Sequence, residues 1–246
     1  MFEILTYQII PYLRLGYNAD SYLKPGSEWV RDAVKGLMHS NSKWLKERNV
    51  DTSLFHNHDE TSSRNKPDYP RIIYHFANSK FSVTGINEGA YALEQLMTLY
   101  HHPVETDKDL IIAFHKLGRK QEFTIEYSAR AIAYRLTNYL PFSPETFKKY
   151  ELLNMAQKIE LLRLTISKHL VYDLFKYLQI PVFDPLVEII DILKLDQKRY
   201  TYKDHHYLTM DLLFRANLSL PDLLTLGNGK AFGYGLIEKY LKPADK

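Results

Sequence analysis

The chain has 246 residues, 45% of them hydrophobic and 25% charged, a balance that suits a folded protein and excludes global disorder. That length fits one large domain or two small ones. A formal net charge of +3 permits a basic groove without announcing one. The absence of cysteine excludes disulfides and thiolate zinc sites, and makes a cytoplasmic home the expectation.

In chain order, the alternation in FEILTYQII predicts a strand from Phe2 to Ile10. The acid at Glu3 and the lack of a basic leader argue against a signal peptide, and no apolar run is long enough to span a bilayer. Pro25-Gly26-Ser27 then opens a helix, with Trp29, Val30, Ala33, Val34, Leu37 and Met38 at helical spacing. Residues 49–70 are polar and turn-rich, a long loop of the kind that carries function in a compact domain.

Strands at 71–77 and 80–86 are predicted to pair through Asn78-Ser79. Asn87 is read as the cap of a helix bearing Ala90, Leu93, Leu96, Met97 and Tyr100. A strand at 109–117 is expected to turn at Gly118-Arg119. The order β-α-β-β-α-β is the ferredoxin-like plan.

The second half repeats it less cleanly. A strand near 124–139 precedes helical sequence from Pro144 to about Leu178, with a break near Leu153-Asn154. Three further strand-like stretches and a last strand after a glycine cluster complete the chain. The expectation is an α+β protein of two tandem ferredoxin-like (RRM-like) halves with antiparallel sheets, residues 1–120 and 121–246.

Four of the ten glycines, Gly227, Gly229, Gly233 and Gly235, crowd into LGNGKAFGYG around Lys230. This is not a P-loop: the first-glycine position is Leu224, and Ala231 replaces the hydroxyl residue after the lysine. The dinucleotide fingerprint fails at Phe232. Two readings stand: bare amides that cradle phosphate, or a turn that re-aims the last strand. The 19 tyrosines suit stacking on nucleic acid bases, and equally suit half-buried strands.

Three stretches resemble one family. They are the glycine segment ending in Gly233-Tyr234-Gly235; LFHNHDE followed by YPRIIYHFANSKFSVTGINEGAYAL; and KKYELLNMAQKIELLRLTISKHL with LLFRANLSLPDLLTLG. In this order they resemble the CRISPR repeat-processing endoribonucleases of the RAMP superfamily, the sixth Cas protein family, in its b-type branch. The chain departs from that pattern after Tyr69-Pro70, where Ile73-Tyr74-His75 replaces a Gln-Tyr-Lys-like strand, and lacks a serine in the glycine segment.

The resemblance implies RNA cleavage within CRISPR repeats, single-stranded or hairpin, to give guide RNAs. It also implies that the glycine segment lies along the RNA backbone, and that a homodimer or a CRISPR effector complex is a further partner. A non-catalytic RNA-binding subunit of the same superfamily is the alternative, and an interaction scaffold without RNA a third reading.

RNA carries its own nucleophile, the 2′-hydroxyl, so cutting it needs a base, an acid and no cofactor. Histidine serves both tasks near neutrality. His56 and His58, two apart, project to one side of an extended segment, and the family keeps a paired histidine here. His39 is a weaker catalytic candidate or a cation that favours the helix C-terminus, and Lys43 and Lys46 are read as a solvated basic face first and as electrostatic helpers second. His75 and His115 are read as packing or surface residues.

Arg64, Lys66 and Arg71, Arg119-Lys120, and Lys198-Arg199 with Lys203 could track the strand alongside Lys230. The letters HNH are not the nuclease fold of that name. Zinc at His56, His58 and Asp59 lacks a third strong ligand at suitable spacing, so no metal site is assigned.

Overall fold

The computed structural model describes residues 1–12, 28–55, 69–77, 80–105, 111–176, 189–202 and 205–241. Contacts gather the chain into two units: residues 2–123 with 231–233, and residue 1 with 124–230 and 234–246.

In the first unit, β1 (Phe2–Tyr12) alternates so that Leu5, Tyr7 and Ile9 share one face while Ile4 and Thr6 share the other. Beside it run β2 (Ile72–Ala77), β3 (Lys80–Ile86), the two-residue β4 (Val104–Glu105) and β5 (Ile111–Phe123), in the order β2-β3-β1-β5-β4. All adjacent pairs are antiparallel, with Tyr7 opposite Val83 and Tyr74 opposite Val83 on the far side.

Two helices cover the Leu5–Tyr7–Ile9 face: α1 (Glu28–Ser40) and α3 (Glu88–Met97), with α2 (Ser42–Glu47) between them in sequence. Val30, Val34, Leu37 and Met38 of α1 and Ala90, Leu93 and Leu96 of α3 share one core with those strand residues. Burying each large aliphatic side chain contributes roughly 1.5–3 kcal/mol.

Helix α1 ends at Ser40, where Asn41 turns the chain: its Nδ2 donates to the Leu37 carbonyl (2.8 Å) and to the Tyr100 hydroxyl (2.5 Å). Two local expectations change. Asn87 does not cap α3 with its side chain. Its Oδ1 accepts from the Glu3 amide at 2.9 Å, its own amide donates to the Glu3 carbonyl at 2.9 Å, and its φ is +50°. It is a clamp between α3 and β1. Gly118-Arg119 is no turn either: β5 runs on to Phe123, paired with Phe2, and absorbs the glycine as a register shift opposite Ile4–Thr6.

The second unit has one four-stranded antiparallel sheet, ordered β7-β8-β6-β9. Its strands are β6 (Glu126–Tyr139), β7 (Ile189–Tyr202), β8 (His205–Ser219) and β9 (Leu236–Lys239). Of the three further strand-like stretches, the first two fall in the single strand β7 and the third is β8, with residues 181–188 outside the described set. Helix α4 (Pro144–Glu151) starts with Ser143 accepting from the Thr146 amide and Pro144 in its first turn. The break at Leu153-Asn154 is present: Asn154 and Gln157 form a reciprocal capping box that starts α5 (Met155–Lys168). A π-helical turn, His169–Phe175, follows.

The two sheets share one topology. Reading the four long strands of each in chain order as first to fourth, both run second-third-first-fourth, the ferredoxin-like arrangement, and the fold is two such halves in tandem. They differ at the second crossover. The first unit crosses through α3, whereas the second crosses from β8 to β9 through residues 220–235, the glycine-rich segment, with only a 3-10 turn at Lys230–Phe232. Among the described residues, no helix is long and apolar enough to cross a membrane.

Candidate functional site

All four clustered glycines have positive φ, between +70° and +81°, which L side chains adopt only under strain. Neighbouring atoms exclude a side chain as well. A Cβ at Gly235 would stand 2.0 Å from the Leu226 carbonyl oxygen, and at Gly227 2.7 Å from the Leu140 oxygen and the Tyr139 ring.

Several polar groups of the segment are turned inward. The Gly235 amide donates to the Asn138 carbonyl (3.2 Å), Leu226 N–H to the Gly235 carbonyl (2.9 Å), and Asn228 N–H to the Leu140 carbonyl (3.0 Å). Gly227 and Gly235 are buried, while Asn228 and Gly229 are exposed and Lys230 half-buried. The outward part of the segment is thus its tip, Asn228–Lys230.

Tyr139, which packs against Gly227, shares a 2.6 Å hydrogen bond between its hydroxyl and His169 Nδ1, their rings meeting edge-on.

Residues 231–233 belong to the first unit. Gly233 lies against the outer edge of β2, where a Cβ would stand 2.6 Å from His75 Cβ and 2.9 Å from the Tyr74 carbonyl oxygen. The Phe232 ring lies under the Arg31 guanidinium, 4.7 Å from ring centroid to carbon.

Beside this contact is a cleft of about 20 Å³ that Arg31, Lys35, Phe55, Pro70, Tyr74 and Phe232 help to line. Phe55 ends a 3-10 turn, Thr52–Phe55, started by Asp51, whose carboxylate accepts from the Ser53 amide (2.9 Å) and hydroxyl (2.8 Å). The Tyr74 hydroxyl donates to the Phe55 carbonyl at 3.3 Å. Phe55, Tyr69 and Pro70 are all buried, so the chain enters and leaves residues 56–68 from two fixed points.

His56 and His58 fall in that segment and lie outside the described residues, as do Asp59, Arg64 and Lys66. The remaining site candidates are placed. His39 is exposed in the last turn of α1, and Lys43 is exposed on α2. Arg71 precedes β2; its Nε lies 3.4 Å from Glu88 in the first turn of α3, and its carbonyl accepts from the Ile86 amide at 2.8 Å.

His75 is buried at 3% exposure, its Nε2 hydrogen-bonded to Thr84 Oγ1 (3.0 Å), which in turn bonds Thr6 Oγ1 (2.9 Å). Nδ1 has no hydrogen-bond partner among the described residues. Burial pushes the imidazole pKa down to about 4, so the ring is neutral at physiological pH.

Sequence reasoning passed over Arg31, Lys35 and Phe232. The available signal was two cations one helical turn apart, flanking the apolar stripe that carries Val30 and Val34. The seating of Phe232 on the first unit had no sequence signal.

Residues 35–122 match the family model of the Cas6b N-terminal domain, and residues 126–240 that of the Cas6b C-terminal domain. Two models in this order, covering most of both halves, define a Cas6-type protein. The chain belongs to the Cas6b family.

It is similar to a solved crystal structure of a Cas6b, with a TM-score of 0.65 and 15% identity over 97% of this chain and 100% of that one. It is also similar to a structure described as the CRISPR RNA processing endoribonuclease Cas6b, with a TM-score of 0.59 and 14% identity over 97% and 100%. At these identities the likeness concerns the fold. No curated protein sequence matches the chain.

Proposed function

We propose that this protein is an endoribonuclease that cuts CRISPR precursor RNA within its repeats and releases mature guide RNAs. The observation that carries the reading is the ordered match of both Cas6b domain models across the two halves, beside the HxH pair at His56 and His58. A related fold described as a CRISPR RNA processing endoribonuclease supports the assignment.

The reaction is transesterification. One imidazole removes the proton of a ribose 2′-hydroxyl, and the oxygen attacks the adjacent phosphorus in line with the departing 5′-oxygen. The other imidazole protonates that oxygen as the P–O bond breaks. The products are a 2′,3′-cyclic phosphate and a 5′-hydroxyl, and the chemistry calls on no metal or cofactor. His56 and His58 share these roles, and His39 is the reserve candidate. Lys43, Arg71, Lys230 and the outward tip of the glycine segment contribute positive charge or close backbone approach to the strand, offsetting the charge that gathers on phosphate. The enzyme works in the cytoplasm.

The decisive assay incubates the purified protein with its cognate repeat RNA in excess EDTA. Cleavage should occur with wild type, fall by at least about a hundredfold in His56→Ala or His58→Ala, and vanish on a substrate with a 2′-deoxy group at the cut. Tight binding of intact RNA without cleavage would instead make the protein a non-catalytic subunit. Association with a second copy or with an effector complex belongs to the same reading, and light scattering of the protein with and without repeat RNA tests the first.

A further inference from the structure

The cleft beside Phe232 has a composition that the fold does not require. Among the described residues its lining includes two cations, Arg31 and Lys35, and no acid. Arg31 is partly neutralised: its Nε and Nη2 both donate to Asp32 Oδ1, at 3.0 and 2.8 Å, and its plane is held over Phe232. No carboxylate lies within ion-pair distance of Lys35 among the described residues. Burial, and then the Arg31 charge, lower the Lys35 pKa, with Asp32 working the other way. An ammonium kept beside a second cation and partly withdrawn from water is a site awaiting an anion.

Size narrows the guest. About 20 Å³ holds one water-sized group, such as a non-bridging phosphate oxygen. Place narrows it further. Phe55 and Pro70, which bracket residues 56–68, both line the cleft. An anion bound there sits where the chain enters and leaves the segment that carries the candidate acid and base.

We propose that Lys35, supported by Arg31, binds a backbone phosphate of the RNA substrate in this cleft and thereby positions the strand for cleavage. The proposal rests on the nuclease reading above for the identity of the polymer, though not for the anion site itself. Lys35 is a positioning residue: it donates no proton in the reaction, and its contact reads phosphate rather than base.

The test is equilibrium binding of the full-length protein to repeat RNA and to an unrelated single strand of equal length, across a salt series. A 2′-deoxy group at the cut blocks turnover in the repeat RNA. Lys35→Met should weaken both RNAs by the same factor, about tenfold at low salt, and reduce the slope of log affinity against log salt by about 0.7, one phosphate contact on a single strand. Lys35→Arg should restore most of the loss, because it keeps the charge. Lys149→Met, an exposed lysine on α4, controls for general charge removal and should leave the slope closer to wild type. In cleavage, Lys35→Met should raise KM far more than it lowers kcat.

An unchanged affinity and salt slope in Lys35→Met, with its unfolding midpoint equal to wild type, overturns the proposal. If Lys35→Met fails to fold, an unchanged slope in Lys35→Gln overturns it equally. The two readings fail separately. Wild type that cuts RNA while Lys35→Met binds normally keeps the nuclease and removes the subsite. Wild type that never cuts, yet shows the Lys35-dependent slope, keeps the subsite and removes the nuclease. Wild type that binds no RNA at low salt removes both.

Discussion

Acid should destabilise this protein through His75 in a narrow and calculable window. The native ring is buried with a pKa near 4, whereas an unfolded chain would titrate it at the ordinary value of 6.5. Above pH 6.5 neither state takes up the proton, and stability is at its full value. Between 6.5 and 4 the unfolded chain is protonated and the native ring is not, so stability falls as pH falls; below 4 both are protonated and the loss levels off. The gap is worth roughly 3 kcal/mol in all, about 2 kcal/mol of it by pH 5. Carboxylates contribute their own acid dependence, so the measurement is a difference. Urea unfolding at pH 8 and pH 5, followed by tyrosine fluorescence, should show wild type losing about 2 kcal/mol more than His75→Gln. The variant keeps a polar partner for Thr84 and does not titrate. The His75 ring signals should move near pH 4 in an NMR titration. Equal losses in the two proteins, or a ring that titrates near 6.5, would refute the reasoning.

Other outcomes follow from single contacts. Gly233→Ala combines a φ of +74° with a Cβ pressed against His75, and should lower stability by about 2 kcal/mol or more in the same urea assay. Asn87→Ala loses the bond to the Glu3 amide and keeps a φ of +50°, a cost of about 1–2 kcal/mol; Asn87→Gly relieves the backbone and should cost less, which thermal melts would rank. Tyr139→Phe removes the hydroxyl facing His169 Nδ1 and should cost about 1 kcal/mol in the second unit, read by hydrogen exchange in α5 and the following turn.

Much of the fold was legible because its signals are local. Alternation in residues 2–10, the hairpin strands, the stripes of α1 and α3, and the helix break ahead of Asn154 all reflect a short-range period or a cap. What escaped depends on distant partners. Asn87 reads as a cap until Glu3 is seen beside it, and Gly118 reads as a turn until β1 is seen running alongside. The glycines illustrate the split within one motif: a dense cluster announced an unusual backbone, but only coordinates show that Gly227 and Gly235 face the protein's own carbonyls. His56 and His58 are proposed from chemistry, spacing and the family resemblance, and lie outside the described residues. Arg31 and Lys35 were passed over, since each looks like an ordinary surface cation until the cleft brings Phe55, Pro70 and Phe232 to the same place.

Residues 231–233 cover the border of β2 from more than 150 positions further along the chain. A fragment ending at Phe123 would therefore retain its helices and five strands yet expose the main-chain oxygen of Tyr74 and the flank of His75. An uncapped strand of this kind recruits another chain. Splitting the gene at its apparent seam should yield a sticky, self-associating product, and a workable isolated half would need those three residues grafted back.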